Sequence, residues 1–380
     1  MTMTQPQQDW ALVGRASDIA TLAGRHADKA EAARTPDPVV AAAVVAAGFA
    51  RHFVPQQFGG STGTFAELKQ AATTIGAECP ATAWCAVLAA LMARAAGALP
   101  AEGQALLWAG GPDVLIAGGV TPRGTATAVD GGWLLSGAWP TVSGSEGADW
   151  VLLAAAVHVA GGRADRVCLV PRSAVRIERS WDSIGMQGTG SHTVVVDQVF
   201  VPGEMTFSSS LLGEIDSAPV GPDGRAVPLL AVNTLIFCLP MLGAAHGALR
   251  QWQRLIGAKM SGRHVENDPA LAHYAAVFAR SSSEIDTAGL ILDRVVMVAD
   301  SAAIVGRTEV ARNQRDCAFA AGLLVDAVDR LFRASGTSGH SAGVALQRFW
   351  RDIHTAGAHA ALQFDTAAAA YAREGLTAIV

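Results

Sequence analysis

Trp181-Asp-Ser-Ile-Gly-Met-Gln-Gly-Thr-Gly-Ser-His-Thr-Val-Val-Val-Asp-Gln-Val-Phe-Val-Pro202 is the stretch on which the reading of this chain turns. Gly188 and Gly190 bracket Thr189, Ser191 follows, and the bend feeds an alternating run at 193–200 that predicts a strand. Glycine tolerates positive φ and lets a ligand come close to the backbone, while Thr189 and Ser191 bring hydroxyls. By composition alone this is a tight β-turn. Its surroundings decide whether it is more.

Upstream, the strand pattern reaches back to Asp113. Runs at 114–118, 125–129, 133–138, 150–157, 166–170 and 175–179 are short and punctuated by turn residues, and Asp130-Gly131-Gly132 signals a hairpin. Together they predict a β-barrel or sandwich. On both sides the pattern is helical. Thr35-Pro36 predicts an N-cap and first helical residue, Thr64-Phe65-Ala66-Glu67 fits a capping box, and Pro80 opens a helix towards Gly97. After a Gly/Pro/Ser-rich connection at 208–228, Asp268-Pro269 predicts the start of a long helix through Ala299. Helices, a β unit, then helices is not βαβ alternation, which argues against a Rossmann sheet. The expectation is a mainly α, α+β chain: a helical domain at 1–112, a central β domain at 113–210 and a helical bundle at 211–380.

At 380 residues the chain can bury a large core, and its hydrophobic content of 51% excludes a disordered or highly charged polymer. A net charge of −5 without a basic block argues against nucleic acid as partner. Cys79, Cys85, Cys168, Cys238 and Cys317 are odd in number and lack metal spacing, which predicts reduced thiols, a cytoplasmic location and no metal centre. The run 226–249 has no charged side chain, yet Pro228, Asn233, Pro240 and His246 interrupt it. It is expected to be a buried loop and helix start, not a membrane span.

Three further segments carry candidate chemistry. Asp130-Gly-Gly-Trp-Leu-Leu-Ser-Gly-Ala-Trp-Pro-Thr-Val-Ser-Gly-Ser-Glu-Gly-Ala-Asp-Trp150 is a hairpin and strand ending in a hydroxyl-rich bend at Ser143-Gly144. Gly118-Gly-Val-Thr-Pro-Arg-Gly124 is a glycine–proline loop. Phe332-Arg-Ala-Ser-Gly-Thr-Ser-Gly-His340 feeds a helix N-terminus, which favours anions, but it is neither a P-loop nor a dinucleotide fingerprint. It continues into Leu346-Gln-Arg-Phe-Trp-Arg-Asp-Ile-His354 and His359. Five helical residues set His354 and His359 about 140° apart, so they cannot form an i, i+4 metal pair.

These segments, in this order and spacing, resemble the acyl-CoA dehydrogenase superfamily, in its reduced-flavin-dependent two-component monooxygenase branch. The resemblance implies an N-terminal helical domain, a central β domain and a C-terminal four-helix bundle, assembled as a homotetramer. It implies reduced FMN or FAD as cofactor, O2 as co-substrate and a separate NAD(P)H:flavin reductase as partner. Oxygen would reach a hydrophobic or aromatic small molecule through a flavin C4a-hydroperoxide. Val120, Thr121, Trp139, Thr141, Val142, Ser143, Thr189 and Ser191 would line the flavin. Its phosphate would fall to Lys259 or Arg263, with Ser335, Gly336 and Thr337 as a second candidate.

By the same resemblance His359 and Ser143 would be the catalytic residues. Trp84, Val87, Leu88, Phe237 and Met241 would form the substrate wall. Arg351 and Asp352 would be a structural ion pair or helix anchor, and His354 structural. Thr141 replaces the family's usual aromatic residue, and the segment opening at Pro80 lacks the substrate-binding histidine of several aromatic hydroxylases. N-oxygenation of an amine or amino sugar, acyl-CoA dehydrogenation and non-catalytic flavin binding remain alternatives. Against dehydrogenation, His359 stands where a C-terminal catalytic glutamate would be expected.

Overall fold

The structure is a computed structural model and describes residues 12–159, 162–212, 227–261, 269–301 and 305–377. Among them, five helices come first: α1 (Leu12–Ala33), α2 (Pro38–Ala46), α3 (Phe65–Gly76), α4 (Pro80–Ala96) and α5 (Ala101–Leu107). The capping box forms. Thr64 Oγ1 accepts Glu67 N–H at 3.0 Å, and the Glu67 carboxylate accepts Thr64 N–H at 2.8 Å. Asp300, far along the chain, accepts the next two free amides, Phe65 and Ala66, at 2.8 and 2.9 Å.

The expected cap at Thr35-Pro36 is two residues early. Asp37 is the cap, accepting Val39 N–H at 2.9 Å, and Pro38 is the first helical residue. The Lys29 ammonium at 2.9 Å holds the buried Asp37 carboxyl far below its ordinary range. That charged partner cannot be inferred from a local pattern.

Seven strands follow: β1 (Ile116–Val129), β2 (Gly132–Val142), β3 (Trp150–Val159), β4 (Gly162–Pro171), β5 (Arg176–Glu178), β6 (His192–Pro202) and β7 (Thr206–Ser208). They form one sheet in the order β5-β6-β2-β1-β3-β4-β7. All neighbours are antiparallel except β1 and β3. The β1–β2 hairpin turns where expected, with Val129 opposite Gly132 and Gly131 at φ 76°. The separate runs expected at 114–118 and 125–129 are one strand whose register shifts between Gly119 and Gly124. The 118–124 segment, read in sequence as a glycine–proline loop, therefore lies within β1. Strand β7 is three residues long, too short to show alternation.

The C-terminal half comprises α6 (Leu229–Met260), α7 (Pro269–Asp300), α8 (Arg307–Ala334), α9 (Ala345–Gly357) and α10 (Phe364–Thr377). Asp268, the expected cap of α7, lies outside the described residues. Helices α6, α7 and α8 pack on one another, and α9 and α10 close on α6 and α8. The apolar run is a correction: from Leu229 it is continuous helix, and Pro240 does not break it. Helix α6 is long and apolar enough to cross a membrane, but 72% of its apolar window is buried inside the molecule. Glycines let it approach α3: a Cβ on Gly243 would stand 2.6 Å from Thr73 O. One apolar cluster runs from α1 through the sheet to α9.

Candidate active site

The 181–191 bend is held by left-handed residues, Met186 at φ 53° and Gly190 at φ 56°. This brings Thr189 and Ser191 inward, where both are buried. The Thr189 hydroxyl donates to Met186 O at 2.8 Å and lies 2.6 Å from Ser191 Oγ. Ser191 Oγ in turn lies 2.7 Å from Ser143 Oγ, which accepts the Trp84 Nε1–H at 3.2 Å. Since Thr189 commits its only proton to Met186 O, the donor order is fixed. Ser191 donates to Thr189, and Ser143 donates to Ser191. Ser143 is left with one free lone pair and no free proton. A second bond, Gly144 N–H to Thr189 O at 2.8 Å, ties the two bends together.

The indole that reaches Ser143 begins an aromatic stack. Trp84 on α4 stacks on Phe237 of α6 with centroids 4.9 Å apart, and Phe237 lies 4.0 Å from the His359 ring. The helical reading of 354–359 is corrected here. Helix α9 ends at Gly357, and His359 caps the short turn Ala360–Leu362 by accepting Ala361 N–H on Nδ1 at 3.2 Å. Nδ1 is thus the acceptor nitrogen, and a neutral ring carries its hydrogen on Nε2. Burial pushes the imidazole pKa below its ordinary value, favouring that neutral form. His354 lies apart, packed on Trp350 at 4.7 Å and 3.6 Å from Asp329.

Beside Ser143 opens a mostly apolar cavity of about 410 Å³ between α2, α4 and the 143–148 bend, lined by Thr35, Val40, Val44, Leu88, Ile116 and Glu146 among others. Of the five expected substrate residues, only Leu88 lines it. Val87 and Met241 are core residues at 0% and 1% exposure, and Trp84 and Phe237 are taken up by the stack. Their helical positions are apolar for packing, which sequence cannot separate from binding. Neither Thr35, read in sequence as a helix cap, nor Glu146 carries a motif that points to binding. Arg179 binds both Glu146 carboxylate oxygens, at 2.8 and 3.1 Å, and holds its pKa below the ordinary value.

Among the expected flavin contacts, Val120 and Thr121 stand exposed on β1, and Thr141 is exposed at φ 59°. Val142 is fully buried between Thr141 and Ser143. The Trp139 side chain is buried in the sheet and donates to Ala154 O at 2.7 Å. Lys259 and the 335–337 bend, separate candidates in sequence, meet. Lys259 Nζ donates to Ser335 O at 2.5 Å, and Gly336 is left-handed at φ 66°. The Ser335 hydroxyl is buried and donates to Phe332 O at 2.6 Å, leaving the ammonium and the bend's backbone, including Thr337, as the polar groups on offer. Arg263 lies outside the described residues. Arg351 and Asp352 are not a mutual ion pair. Arg351 bridges to Glu31 at 2.6 Å, and Asp352 accepts Met186 N–H at 2.5 Å.

Comparison with known proteins matches this chain to a family. Residues 235–364 match the acyl-CoA dehydrogenase C-terminal domain. The chain is 31% identical over 361 residues to the flavin-dependent monooxygenase oxygenase subunit HsaA of Rhodococcus jostii (strain RHA1), covering 90% of this chain and 92% of that one. It is 32% identical over 378 residues to the oxygenase component of FADH(2)-dependent resorcinol hydroxylase from Rhizobium sp. (strain MTP-10005), covering 93% and 91%. The crystal structure of 3-HSA hydroxylase from Rhodococcus sp. RHA1 superposes with a TM-score of 0.88 at 26% identity, over 97% of each chain. An aligned fold end to end, with identity above 30% to two oxygenase components, leaves one assignment: this chain belongs to the oxygenase components of the flavin-dependent monooxygenases, on the acyl-CoA dehydrogenase fold.

Proposed function

We propose that this protein inserts one atom of dioxygen into a hydrophobic, aromatic small molecule, using reduced FMN or FAD delivered by a separate NAD(P)H:flavin reductase. The observation that carries the reading is the line Ser143–Trp84–Phe237–His359, which joins a polarised hydroxyl chain to a buried neutral imidazole. Relatives named for resorcinol and indole-3-acetate support an aromatic substrate. So does the cavity beside Ser143, which holds no cation among its lining residues.

The chain's own groups fit a flavin. The exposed β1 segment at Val120 and Thr121 and the left-handed Thr141 offer backbone and hydroxyl to a planar ring. Lys259 with the 335–337 bend offers a cation and amides to a phosphate. When bound, reduced flavin supplies the electrons that activate dioxygen. Ser143, with no proton to give, accepts an N–H through its remaining lone pair and keeps that proton in place. His359, neutral and with its hydrogen on Nε2, would donate a hydrogen bond to a developing oxyanion and keep that hydrogen throughout. The Trp84–Phe237 stack excludes water between them.

Exposed apolar side chains on the bundle, including Leu290, Met297 and Phe319, support assembly into a homotetramer. Five unpaired cysteines support a cytoplasmic setting. The test is turnover with a flavin reductase, NADH and a phenol panel under ¹⁸O2. Product carrying one ¹⁸O atom is expected, and flavin reoxidation with peroxide as the sole product across FMN and FAD would contradict the proposal.

A further inference from the structure

The hydroxyl chain ends on the Met186 carbonyl, and what fixes Met186 lies far along the chain. A non-glycine residue at φ 53° is strained and persists only where its surroundings over-determine it. Here the Met186 carbonyl accepts both the Thr189 hydroxyl and the Trp181 Nε1–H, the latter at 3.0 Å. The Met186 N–H goes to Asp352 Oδ1 on α9. Two more contacts from α9 grip the same bend. Arg351 Nη1 donates to Ile184 O at 2.6 Å, and Gly185 lies so close that a Cβ there would stand 2.1 Å from Arg351 O. Asp352 is buried, so its carboxylate acts in a low dielectric. The N–H that Asp352 holds belongs to the 185–186 peptide and the accepting carbonyl to the 186–187 peptide, so the clamp acts by fixing the left-handed Met186 dihedrals between them, and with them the direction of the carbonyl at which the donor order of the hydroxyls is set.

We propose that Asp352 is a positioning residue for Ser143: from α9 it locks the backbone at Met186, and so fixes the direction in which Thr189, Ser191 and Ser143 donate. This rests on the reading of Ser143 given above. Burial raises the Asp352 carboxyl to about 6, against the opposing pull of the Met186 N–H. The groups facing it are Arg348 and Arg351 on its own helix, Glu31 on α1 and the Cys79 thiol at the start of α4. The clamp therefore weakens as pH falls through that value, when the carboxylate takes up a proton.

The experiment combines hydrogen exchange of the peptide spanning 181–192 with peroxide leak in reductase-coupled turnover, for Asp352→Ala, Asp352→Asn, Ser143→Ala and the Ser143→Ala/Asp352→Ala double variant. Losing a charge-assisted bond should speed exchange of the bend about tenfold in Asp352→Ala. Asp352→Asn, whose Oδ1 still accepts, should recover most of the protection and lose the wild type's change of exchange near pH 6 beyond the intrinsic one. The double variant should leak no more peroxide than Ser143→Ala. Unchanged exchange in Asp352→Ala, or additive leaks, would overturn the proposal. Should Asp352→Ala not fold, the Asn variant decides alone: a pH dependence identical to wild type overturns the clamp. Wild-type leak in Ser143→Ala would instead sink the role given to Ser143, with the exchange data still judging the clamp.

Discussion

Two arms meet at Trp84, and they are built on opposite principles. The arm through Ser143, Ser191, Thr189 and Met186 is a closed polar circuit, each hydroxyl proton committed and the end tied to a buried carboxylate. The arm through Phe237 to His359 is apolar, its imidazole buried and held by a single backbone N–H. Burial does opposite things to their titratable ends. It raises the Asp352 pKa and lowers that of His359. One arm is set to hold geometry, and the other to keep a neutral N–H donor away from water.

The largest expected consequence is in stability against pH. Asp352 rises from 3.8 to about 6 on folding, so the native state binds the extra proton and stability falls as pH climbs between those values. At 1.36 kcal/mol per unit that is on the order of 3 kcal/mol. His359 is lowered, so its contribution is complete above the unfolded value of about 6.5 and is lost as pH falls below it. Urea melts from about pH 4 to about pH 8, a window spanning both groups, should show Asp352→Asn removing the first slope and His359→Ala the second. If either variant removes neither slope, the contrast between the arms fails.

Next comes coupling. His359→Ala should keep the fold and divert oxygen to peroxide, with product formation down by about 100-fold, the usual size of the loss when one donor to a developing oxyanion is removed. Ser143→Ala leaves Trp84 Nε1–H and Ser191 without their partner, and should lower product yield by about tenfold. Equal effects would mean the arms do not divide the work. The smallest effect tests the junction. Trp84→Phe keeps a ring against Phe237 but drops the N–H to Ser143, and a fall of only about fivefold is expected because a neutral hydrogen bond contributes about 1 kcal/mol. A loss as large as that of His359→Ala would show that the stack, not the bond, joins the arms.

The polar arm is half legible in sequence and the apolar arm hardly at all. Glycines around Thr189, and the bend at Ser143-Gly144, announce positive φ and hydroxyls locally, so the chain itself names these residues. Their anchor is hidden. Arg351 and Asp352 read in sequence as an ion pair or helix anchor, and sequence cannot say that each is held by a residue far along the chain, Glu31 and Met186. The helix limits around the capping box and Pro80 are readable because caps are local chemistry, whereas the Asp37 cap depends on Lys29 from the preceding helix. Trp84, Val87, Phe237 and Met241 are all large apolar residues on helices, and only packing separates the two that stack beside His359 from the two in the core. The 118–124 segment shows the same limit, since a register shift inside a strand looks like a loop when its partner strands are unknown.

The most direct test mixes the protein with reduced FMN, and separately with reduced FAD, without oxygen, then with oxygenated buffer in a stopped-flow cell. The account predicts an absorbance transient that outlives the oxidation of free reduced flavin, and that shortens in both Ser143→Ala and His359→Ala. Immediate return of oxidised flavin with either cofactor, with and without a phenol present, would contradict it.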